Sequence, residues 1–488
     1  MASEETRLPR RRTKIVATLG PATDDPAVLE DLIRAGADVL RINFSHGDSD
    51  DQATRVKTVR ALAVKVGRDV AIMGDLQGPK IRIESFTTSS VELEQGQEFT
   101  LDTAMDPSQG TREKVGVAYP DLVNDVIAGD MLLLDDGRIV LGVEAVSGTR
   151  IHCRVSEGGT LADHKGVNKR GGGLSAPALT DKDRDDIKIA ADLGFDFLSV
   201  SFARNADDIE EARQLLRGAG GQGHIVAKIE RAEAVENIEA IIHASDVIMV
   251  ARGDLAVEVG YASMTGLQKS LIRAARAQHR VSITATQMLE SMISQTSPTR
   301  AEVSDVANAV MDGTDAVMLS AETAVGQHPV QAVRTMSEVC VGAEKHEIFR
   351  RARNLRLEDA FEHVDEAIAM AAMYVANHLG VKGIIALTES GATTLWMSRL
   401  RSDIPIYAFT RHETTRRRVM LYRGVYPESF DVTHTEASAV HRSAFEVLLY
   451  GGALSPGDLA LFTTGDLQGI AGRTNTLQII EVPFGDAR

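Results

Sequence analysis

Short apolar runs rich in β-branched residues recur along the first two thirds of the chain, and stretches with helical spacing of apolar residues separate most of them. The runs lie at 14–19, 39–44, 70–75, 197–201, 225–229, 247–250, 281–284 and 316–319. Helical spacing is clear at 26–35, 50–66, 207–216 and 267–278. Alternating strands and helices predict a parallel sheet, and eight such units predict an α/β fold of the closed (β/α)8 or TIM-barrel type.

Between residues 80 and 176 the spacing changes to a period of two, which is typical of half-buried strands, as at 91–93, 98–101, 131–134 and 151–155. Turn sequences such as Asp135-Asp136-Gly137 separate these runs. We therefore predict a small β-barrel domain, residues 80–176, inserted after the third barrel strand. The glycines at 171–173 suit a hinge, on which this domain would act as a lid that excludes water.

A third region begins near residue 344, after the eighth barrel unit. A helix is predicted at 364–379 and a strand at 383–387, and alternating patterns continue at 404–409, 416–422 and 459–462. This order predicts an open α/β domain over residues 344–488, with residues 1–79 and 177–343 forming the barrel.

The composition of the 488-residue chain is that of a soluble globular protein, with 43% hydrophobic and 25% charged residues. A formal net charge of −16 and 4% aromatic residues argue against nucleic acid as a partner. No apolar run has the length of a membrane span, and with two cysteines a reducing cytoplasm is the expected location. The arginine runs 10–12 and 416–418 are expected to be a solvated tail and an exposed helix face.

Ionisable residues follow the fifth and sixth predicted strands directly. Lys228 and Glu230 stand at the end of the fifth strand, and Asp254 stands just after the sixth. Active sites of such barrels lie at the carboxyl ends of the strands. Carboxylate oxygens suit Mg²⁺, and a lysine beside the ion can offset charge that develops during transfer.

Polar side chains also follow the other predicted strands, which favours a phosphate-handling site over a series of isolated helix caps. They include Arg41 with Asn43, Ser45 and His46, then Asp75, Ser201, Thr286 and Ser320. Arg41 can hold phosphate bidentately, and Gly253 lets the backbone approach a ligand closely. Thr286 can donate to a carboxylate or take part in proton delivery. Neither a P-loop nor an HExxH zinc motif occurs in the sequence.

The motifs at these strand ends resemble those of the pyruvate kinase family, in the right order and over nearly the whole chain. The matching segments are 13–23, 41–47, 74–82, 228–230, 251–255, 284–292 and 318–326. The resemblance is greatest to bacterial members regulated by sugar phosphates or AMP. It implies transfer of the phosphoryl group of phosphoenolpyruvate to ADP in glycolysis, a requirement for Mg²⁺ that Mn²⁺ could replace, and a homotetramer.

The resemblance also implies roles for individual residues. The catalytic residues would be Lys228, Arg41 and Thr286, and the substrate would in addition meet Gly253, Asp254 and Ser320. Glu230 and Asp254 would hold Mg²⁺. The nucleotide would lie against Asn43, His46, Arg82 and Lys165.

One position departs from the family in a way that bears on monovalent ions. Many members carry glutamate where this chain has Lys80, and they bind K⁺ through residues that correspond to Asn43, Ser45, Asp75 and Leu76. An ammonium group in place of a carboxylate makes a bound cation less favourable. We therefore expect that K⁺ is not required, because the ammonium of Lys80 supplies the positive charge.

In the third region, the run 388–394 follows a predicted strand and opens a helix, which places hydroxyl and N–H groups where a phosphate could bind. The family uses this loop for its effector, so Thr388, Ser390, Gly391 and Thr393 are the expected contacts of a phosphorylated effector. The same residue types also cap helices without any ligand.

Two other functions remain open from the residues alone. A Mg²⁺-dependent TIM-barrel lyase acting on pyruvate or phosphoenolpyruvate would share the two carboxylates and the enolate chemistry, but would not need the inserted lid. A catalytically silent metabolite sensor would share the fold, but would not need the complete set of Lys228, Glu230, Asp254 and Thr286.

Overall fold

Eight parallel strands close into a barrel, as predicted. The structure is a computed structural model that describes residues 11–346, 361–400, 402–431, 439–465 and 474–483. The barrel strands are Lys14–Thr18, Val39–Asn43, Ala71–Asp75, Phe197–Val200, His224–Ile229, Val247–Ala251, Val281–Ala285 and Ala316–Leu319. They follow one another around the ring in chain order, and the first pairs with the eighth.

Helices surround the barrel and pack their apolar faces on the outer side of the strands. They are Pro26–Ala35, Ser49–Val66, Asp181–Asp192, Ala206–Gly218, Ala232–Glu236, Ile238–Ala244, Arg252–Val259, Tyr261–Ala277, Arg300–Asp312, Ala321–Ala324 and Pro329–Glu344, with short 3-10 helices at Pro21–Thr23 and Glu290–Ile293. Local sequence sets their ends: Thr299 and Glu302 form a reciprocal capping box, and Gly313 closes the same helix in a left-handed conformation.

The period of two along each strand explains why polar groups collect at one end of the barrel interior. Val16, Val39, Met73 and Val226 are buried in the interior core. Two residues further along their strands, on the same face, stand Thr18, Arg41, Asp75 and Lys228. An apolar plug therefore closes the barrel, and a polar layer lies above it at the carboxyl ends of the strands.

The inserted domain lies between the third barrel strand and the helix Asp181–Asp192. Its strands are Ser90–Leu93, Glu98–Asp102, Lys114–Gly116, Met131–Leu134, Ile139–Ser147, Arg150–Glu157, Gly159–Ala162 and Val167–Lys169, with one short helix, Leu122–Asp125. They form a six-stranded and a two-stranded sheet around a separate core, so the predicted small barrel is a half-barrel. Val257 of the main barrel packs against Leu133 and Val140 of the insert.

The C-terminal domain is the predicted open α/β unit. Its helices are Val364–Leu379, Ala392–Ser398, Glu413–Val419 and Val440–Tyr450, and its strands are Gly383–Leu387, Ile406–Thr410, Val425–Ser429, Leu459–Gly465 and Thr474–Glu481. Four strands are parallel, and Thr474–Glu481 runs antiparallel at one edge. None of the described helices is long and apolar enough to cross a membrane.

An aspartate precedes each even-numbered barrel strand and accepts a hydrogen bond from a backbone N–H of the strand before it. The four residues are Asp38, Asp196, Asp246 and Asp315, and the N–O distances are 2.8–2.9 Å. These carboxylates lie at the amino ends of the strands, opposite the polar layer. Two of them, Asp196 and Asp315, form ion pairs with the C-terminal domain.

Arginines of the C-terminal domain meet two of these aspartates, so the prediction of an exposed face at 416–418 was wrong. Arg399 makes a buried bidentate pair with Asp315, and Arg417 lies 2.8 Å from Asp196. Arg416 meets Asp69 at 3.2 Å. The guanidinium groups are held between two domains instead of facing water.

The prediction of a solvated tail at residues 10–12 was also wrong for Arg11 and Arg12, the two residues of this run that the structure describes. Arg11 pairs with Asp38, and Arg12 pairs with Glu344 and Asp403. Arg10 lies outside the described residues. The start of the first strand is therefore clamped between the barrel and the C-terminal domain.

Candidate active site

Lys228 is the centre of a buried network in the mouth of the barrel. Its ammonium lies 2.7 Å from Ser201 Oγ, 2.9 Å from Glu230 Oε1 and 3.4 Å from Asp75 Oδ1. Burial alone would lower the pKa of Lys228, but the negative charges of Asp75 and Glu230 raise it above its ordinary value. The lysine therefore carries its positive charge at neutral pH.

Arg41 is held by Asp75, which leaves one edge of its guanidinium free of that carboxylate. Nε and Nη2 lie 2.6 and 2.5 Å from Asp75 Oδ2, and Nη1 donates to Thr18 Oγ1 at 3.0 Å. Burial would raise the pKa of Asp75, but Arg41 and Lys228 hold it below its ordinary value. Asp75 was predicted to belong to a monovalent-ion site. In the structure, its carboxylate instead pairs with the side chains of Arg41 and Lys228.

Glu230 and Asp254 are the two carboxylates predicted to hold Mg²⁺. Glu230 is 2% exposed, and its Oε2 accepts a hydrogen bond from Phe202 N at 2.9 Å. Burial raises the pKa of Glu230 above its ordinary value, and the charge of Asp254 adds to this while Lys228 opposes it. Repulsion between two close carboxylates is what a divalent cation relieves. The donor set therefore fits Mg²⁺.

Asp254 lies in the first turn of the helix Arg252–Val259, because the sixth strand ends at Ala251. Among the described residues, no group of three or more His, Cys, Asp or Glu side chains could hold a metal ion. A cation held by Glu230 and Asp254 would keep most of its coordination positions for water and for oxygens of a substrate.

Lys80 is neither in solvent nor paired with Asp75, near which it was expected. Its ammonium lies 3.2 Å from Asp254 Oδ1, and its side chain is 29% exposed. Asp75 is already engaged by Arg41 and Lys228. The ammonium of Lys80 therefore lies beside one of the two carboxylates that were predicted to hold Mg²⁺.

Thr286 occupies a loop with unusual backbone geometry directly after the seventh strand. Thr286 and Gln287 have φ angles of 67° and 52°, a left-handed conformation that costs a non-glycine residue about 1–2 kcal/mol. The hydroxyl of Thr286 donates to Ala285 O at 2.6 Å and accepts from Gly253 N at 2.9 Å. This contact joins the loop to the helix that carries Asp254.

Gly253 is not required by the protein's own packing. A Cβ added there would lie 3.7 Å from Thr286 Oγ1, which is ordinary contact distance. Close approach of a ligand remains a physical reason for a glycine at this position. Ser320, also predicted to meet the substrate, begins the turn after the eighth strand, where its N–H donates to Glu322 Oε2 at 2.7 Å.

The four predicted nucleotide residues are divided between the barrel and the inserted domain. Asn43 is the last residue of the second strand and His46 lies in the loop after it, where Asn43 Oδ1 accepts from Ser45 N at 3.0 Å. Arg82 and Lys165 belong to the insert, where Arg82 donates to His164 O at 2.8 Å and Lys165 pairs with Asp135 at 2.7 Å. To bind a nucleotide, the side chains of Arg82 and Lys165 would therefore have to exchange these contacts for contacts with the phosphates.

In the C-terminal domain, the predicted effector residues form a capped turn. Thr388 Oγ1 accepts from Gly391 N at 2.9 Å, and Ser390 Oγ accepts from Ala392 N at 3.4 Å. Thr393 and Thr474 hydroxyls lie 2.6 Å apart. Gly391 has a φ of 86° before the helix Ala392–Ser398. The two hydroxyl groups accept from the N–H groups of Gly391 and Ala392 at the start of this helix, and an effector role stays a prediction.

Two residues of the site were given no role of their own from the sequence. The hydroxyl of Ser201 accepts from Lys228 Nζ and donates to Leu76 O at 2.7 Å. Its position two residues after Ser199, at the end of a buried strand, is the sequence signal that could have placed it in the polar layer. Arg252 follows the sixth strand directly, but its side chain turns away from the mouth and extends behind the loop at 285–288 to Asp305. Sequence alone carries no signal for that direction.

The mouth of this TIM barrel holds an acidic pair that suits a divalent cation, a buried lysine, and an arginine of the kind that can hold phosphate. These features define a class of protein: enzymes that use a divalent cation to act on an anionic substrate.

Comparison with known proteins identifies the family within that class. Residues 10–333 match the family model described as pyruvate kinase, barrel domain, and residues 366–480 match pyruvate kinase, alpha/beta domain. Pyruvate kinase II of Salmonella typhimurium is 54% identical over 97% of this chain and 99% of its own length. Pyruvate kinases of Haemophilus influenzae and Mycobacterium tuberculosis are 53% and 39% identical, over 93% and 98% of this chain and 96% and 99% of their own.

The chain belongs to the pyruvate kinase family. It is a phosphotransferase, as the sequence predicted. The family match over nearly the whole chain decides against the lyase and the silent sensor.

Proposed function

We propose that the mouth of the barrel transfers the phosphoryl group of phosphoenolpyruvate to ADP, giving pyruvate and ATP. The bond between phosphorus and the enol oxygen breaks, and a bond forms to a terminal phosphate oxygen of ADP. The enolate that remains takes up a proton at its methylene carbon. The observation that carries the proposal is the network in which Lys228 lies 2.9 Å from Glu230 and is kept charged by buried carboxylates.

Each group has a part that follows from its position. Arg41, oriented by Asp75, binds the phosphate of the substrate. Lys228 offsets negative charge on the moving phosphoryl group and on the enol oxygen. Glu230 and Asp254 would hold Mg²⁺, or Mn²⁺ in its place, which supplies charge neutralisation between substrate and protein.

The remaining predicted contacts complete the two substrate sites. Gly253 N and Thr286 Oγ1, which bond to each other at 2.9 Å in this structure, would turn to the carboxylate of the substrate and to the carbon that is protonated. Ser320 would be a further contact of the substrate. Asn43, His46, Arg82 and Lys165 bind ADP once the insert has moved towards the barrel. Closure would exclude water, which otherwise competes with ADP for the phosphoryl group.

The proposed role of Lys228 is tested with Lys228→Met in an assay of pyruvate formation from phosphoenolpyruvate and ADP. We expect loss of turnover with phosphoenolpyruvate binding largely retained, since the charge is needed mainly where charge develops. Lys188→Met, on an outer helix with a side chain 67% exposed, is the matched control and should keep full activity. Substantial activity in Lys228→Met would contradict the assignment.

We infer that K⁺ is not required, because the ammonium of Lys80 lies inside the mouth at 3.2 Å from Asp254. Turnover in buffer with tetramethylammonium as the only monovalent cation should match turnover with KCl. Lys80→Glu should acquire stimulation by KCl, and Lys80→Met separates loss of the ammonium from gain of a carboxylate. Strong stimulation of the unaltered protein by KCl would overturn the inference.

Regulation, assembly and location are also proposed by analogy with the family. A phosphorylated effector, a sugar phosphate or AMP, would bind at Thr388–Thr393 of the C-terminal domain, in a cytoplasmic homotetramer. Phosphoenolpyruvate saturation curves that do not change with either effector class would contradict the first proposal. Light scattering that gives the mass of one chain would contradict the second.

A further inference from the structure

One guanidinium group collects three consecutive carbonyl groups of the loop that carries Thr286. Arg252 Nε donates to Ala285 O at 3.2 Å, and Nη2 donates to Thr286 O at 2.6 Å and Gln287 O at 3.4 Å. On its other side, Nη1 lies 2.6 Å from Asp305 Oδ2. Arg252 therefore links the helix Arg300–Asp312 to this loop, and its side chain is only 12% exposed.

The conformation of the loop explains why it needs such a partner. Thr286 and Gln287 are both left-handed, which a β-branched residue rarely adopts without support. In this conformation, the carbonyl groups of 285–287 point back to Arg252, while the Thr286 hydroxyl reaches Gly253 N at 2.9 Å. The backbone geometry that Arg252 stabilises is thus the same geometry that directs the hydroxyl.

We propose that Arg252, held by Asp305, is a positioning residue that acts on the reaction through Thr286. The inference rests on the proposed function, in which Thr286 serves the enolate end of the substrate. Arginine suits this task because its planar fork can donate to several acceptors at fixed angles. A lysine could neutralise Asp305, but it could not hold three carbonyl groups in one plane.

The first test is a double-mutant cycle on kcat, with the substitutions Arg252→Met and Thr286→Ala singly and together. If the loop loosens, Arg252→Met should lower kcat by about 10- to 100-fold, as misplacement of a reacting group does, with KM for phosphoenolpyruvate changed much less. In the Thr286→Ala background, Arg252→Met should cause little further loss. Equal losses in both backgrounds would overturn the proposal.

The second test restores the missing group. Arg252→Ala leaves a space between Asp305 and the three carbonyl groups, and millimolar guanidinium should recover part of kcat. The same addition should have no effect on Thr286→Ala or on the double variant. Absence of recovery in Arg252→Ala, while its melting temperature stays that of the unaltered protein, would count against the proposal.

A milder variant covers the case in which Arg252 variants fail to fold. Asp305 is 39% exposed, so Asp305→Asn keeps the fold while weakening the orientation of the guanidinium. It should lower kcat by a smaller factor, again only when Thr286 is present. Full activity of Asp305→Asn together with full activity of Arg252→Lys would overturn the proposal.

Arg213→Met is the matched control. Arg213 also binds a carboxylate and a backbone carbonyl, Asp246 Oδ2 at 2.9 Å and Ala244 O at 2.6 Å, but at the opposite end of the barrel. It should leave kcat and the cycle with Thr286 unchanged. Full activity of Thr286→Ala would refute the proposed role of Thr286 in the reaction. Loss of activity in Thr286→Ala, together with full activity of Arg252→Met, would refute only the positioning role of Arg252.

Discussion

Glu258 offers a sharp test of how burial sets the charge of a side chain in this protein. It belongs to the helix Arg252–Val259, is 4% exposed, and packs where the inserted domain returns to the barrel. Its Oε2 accepts from Ala232 N at 2.9 Å, and its Oε1 faces Asn168 Nδ2 at 3.4 Å. Burial raises the pKa of Glu258 to about 7, against the two hydrogen bonds and with a further contribution from Glu233.

The magnitude follows from proton linkage. The folded protein binds a proton on Glu258 more tightly than the unfolded chain does. The resulting contribution to the free energy of unfolding is fully present below the ordinary pKa of 4.5 and is lost as the pH rises through about 7. At about 1.4 kcal/mol per tenfold change in proton affinity, the difference amounts to about 3 kcal/mol. Above neutral pH, the carboxylate of Glu258 therefore destabilises the fold by roughly that amount.

The assay is unfolding by urea at a series of pH values for the unaltered protein and for Glu258→Gln. The amide keeps the volume and can accept from Ala232 N, but it carries no charge. We expect the variant to be more stable by up to about 3 kcal/mol near pH 8.5, with the advantage shrinking towards about pH 5.

Glu344 provides the control, because it is equally buried but lies beside cations. Burial would raise the pKa of Glu344, but Arg423 and Arg12 hold it below its ordinary value. Its stabilisation is therefore present above its ordinary pKa and lost as the pH falls, so Glu344→Gln should destabilise the protein at neutral pH. Parallel curves for Glu258→Gln and the unaltered protein, or a less stable Glu258→Gln at high pH, would refute the reasoning.

Three further substitutions test other parts of the fold. Arg399→Met leaves the Asp315 carboxylate buried without its guanidinium and should cost about 3–5 kcal/mol, measured by urea unfolding, whereas a loss below about 1 kcal/mol would show that the pair is dispensable. Thr299→Ala removes one half of a capping box and should cost about 1 kcal/mol in the same assay, and no change would contradict the cap. Gly172→Ala places a Cβ 2.6 Å from Glu233 Oε2 at a φ of +80°, so it should speed proteolysis at the hinge, and an unchanged cleavage rate would contradict this strain.

The barrel and its polar layer were predictable because both depend on short-range patterns. Strand ends fell within about two residues of their predicted positions, since β-branched runs and their period of two are local properties. The same period carries Arg41, Asp75 and Lys228 to one face above the apolar plug. Given a barrel, their convergence at its mouth needs no further information.

The partners of long charged side chains were not predictable, because they come from distant parts of the chain. Arg252 meets Asp305, Arg417 meets Asp196, and the ammonium of Lys80 meets Asp254. A side chain with four or more rotatable bonds can reach in several directions, and tertiary packing decides among them. For this reason, the exposed face predicted at 416–418 was in fact an interface between domains.

The pairs at the amino ends of the strands have a consequence for exchanging parts between related proteins. Asp196 and Asp315 receive Arg417 and Arg399 from a domain far along the chain, and each aspartate also fixes a backbone N–H of the barrel. A barrel grafted onto another C-terminal domain must be given two guanidinium groups in register with its fourth and eighth strands. In a chimera without them, the Asp315 carboxylate would be buried without its guanidinium, whereas Asp196 would keep only Arg60 of the barrel, at 2.8 Å.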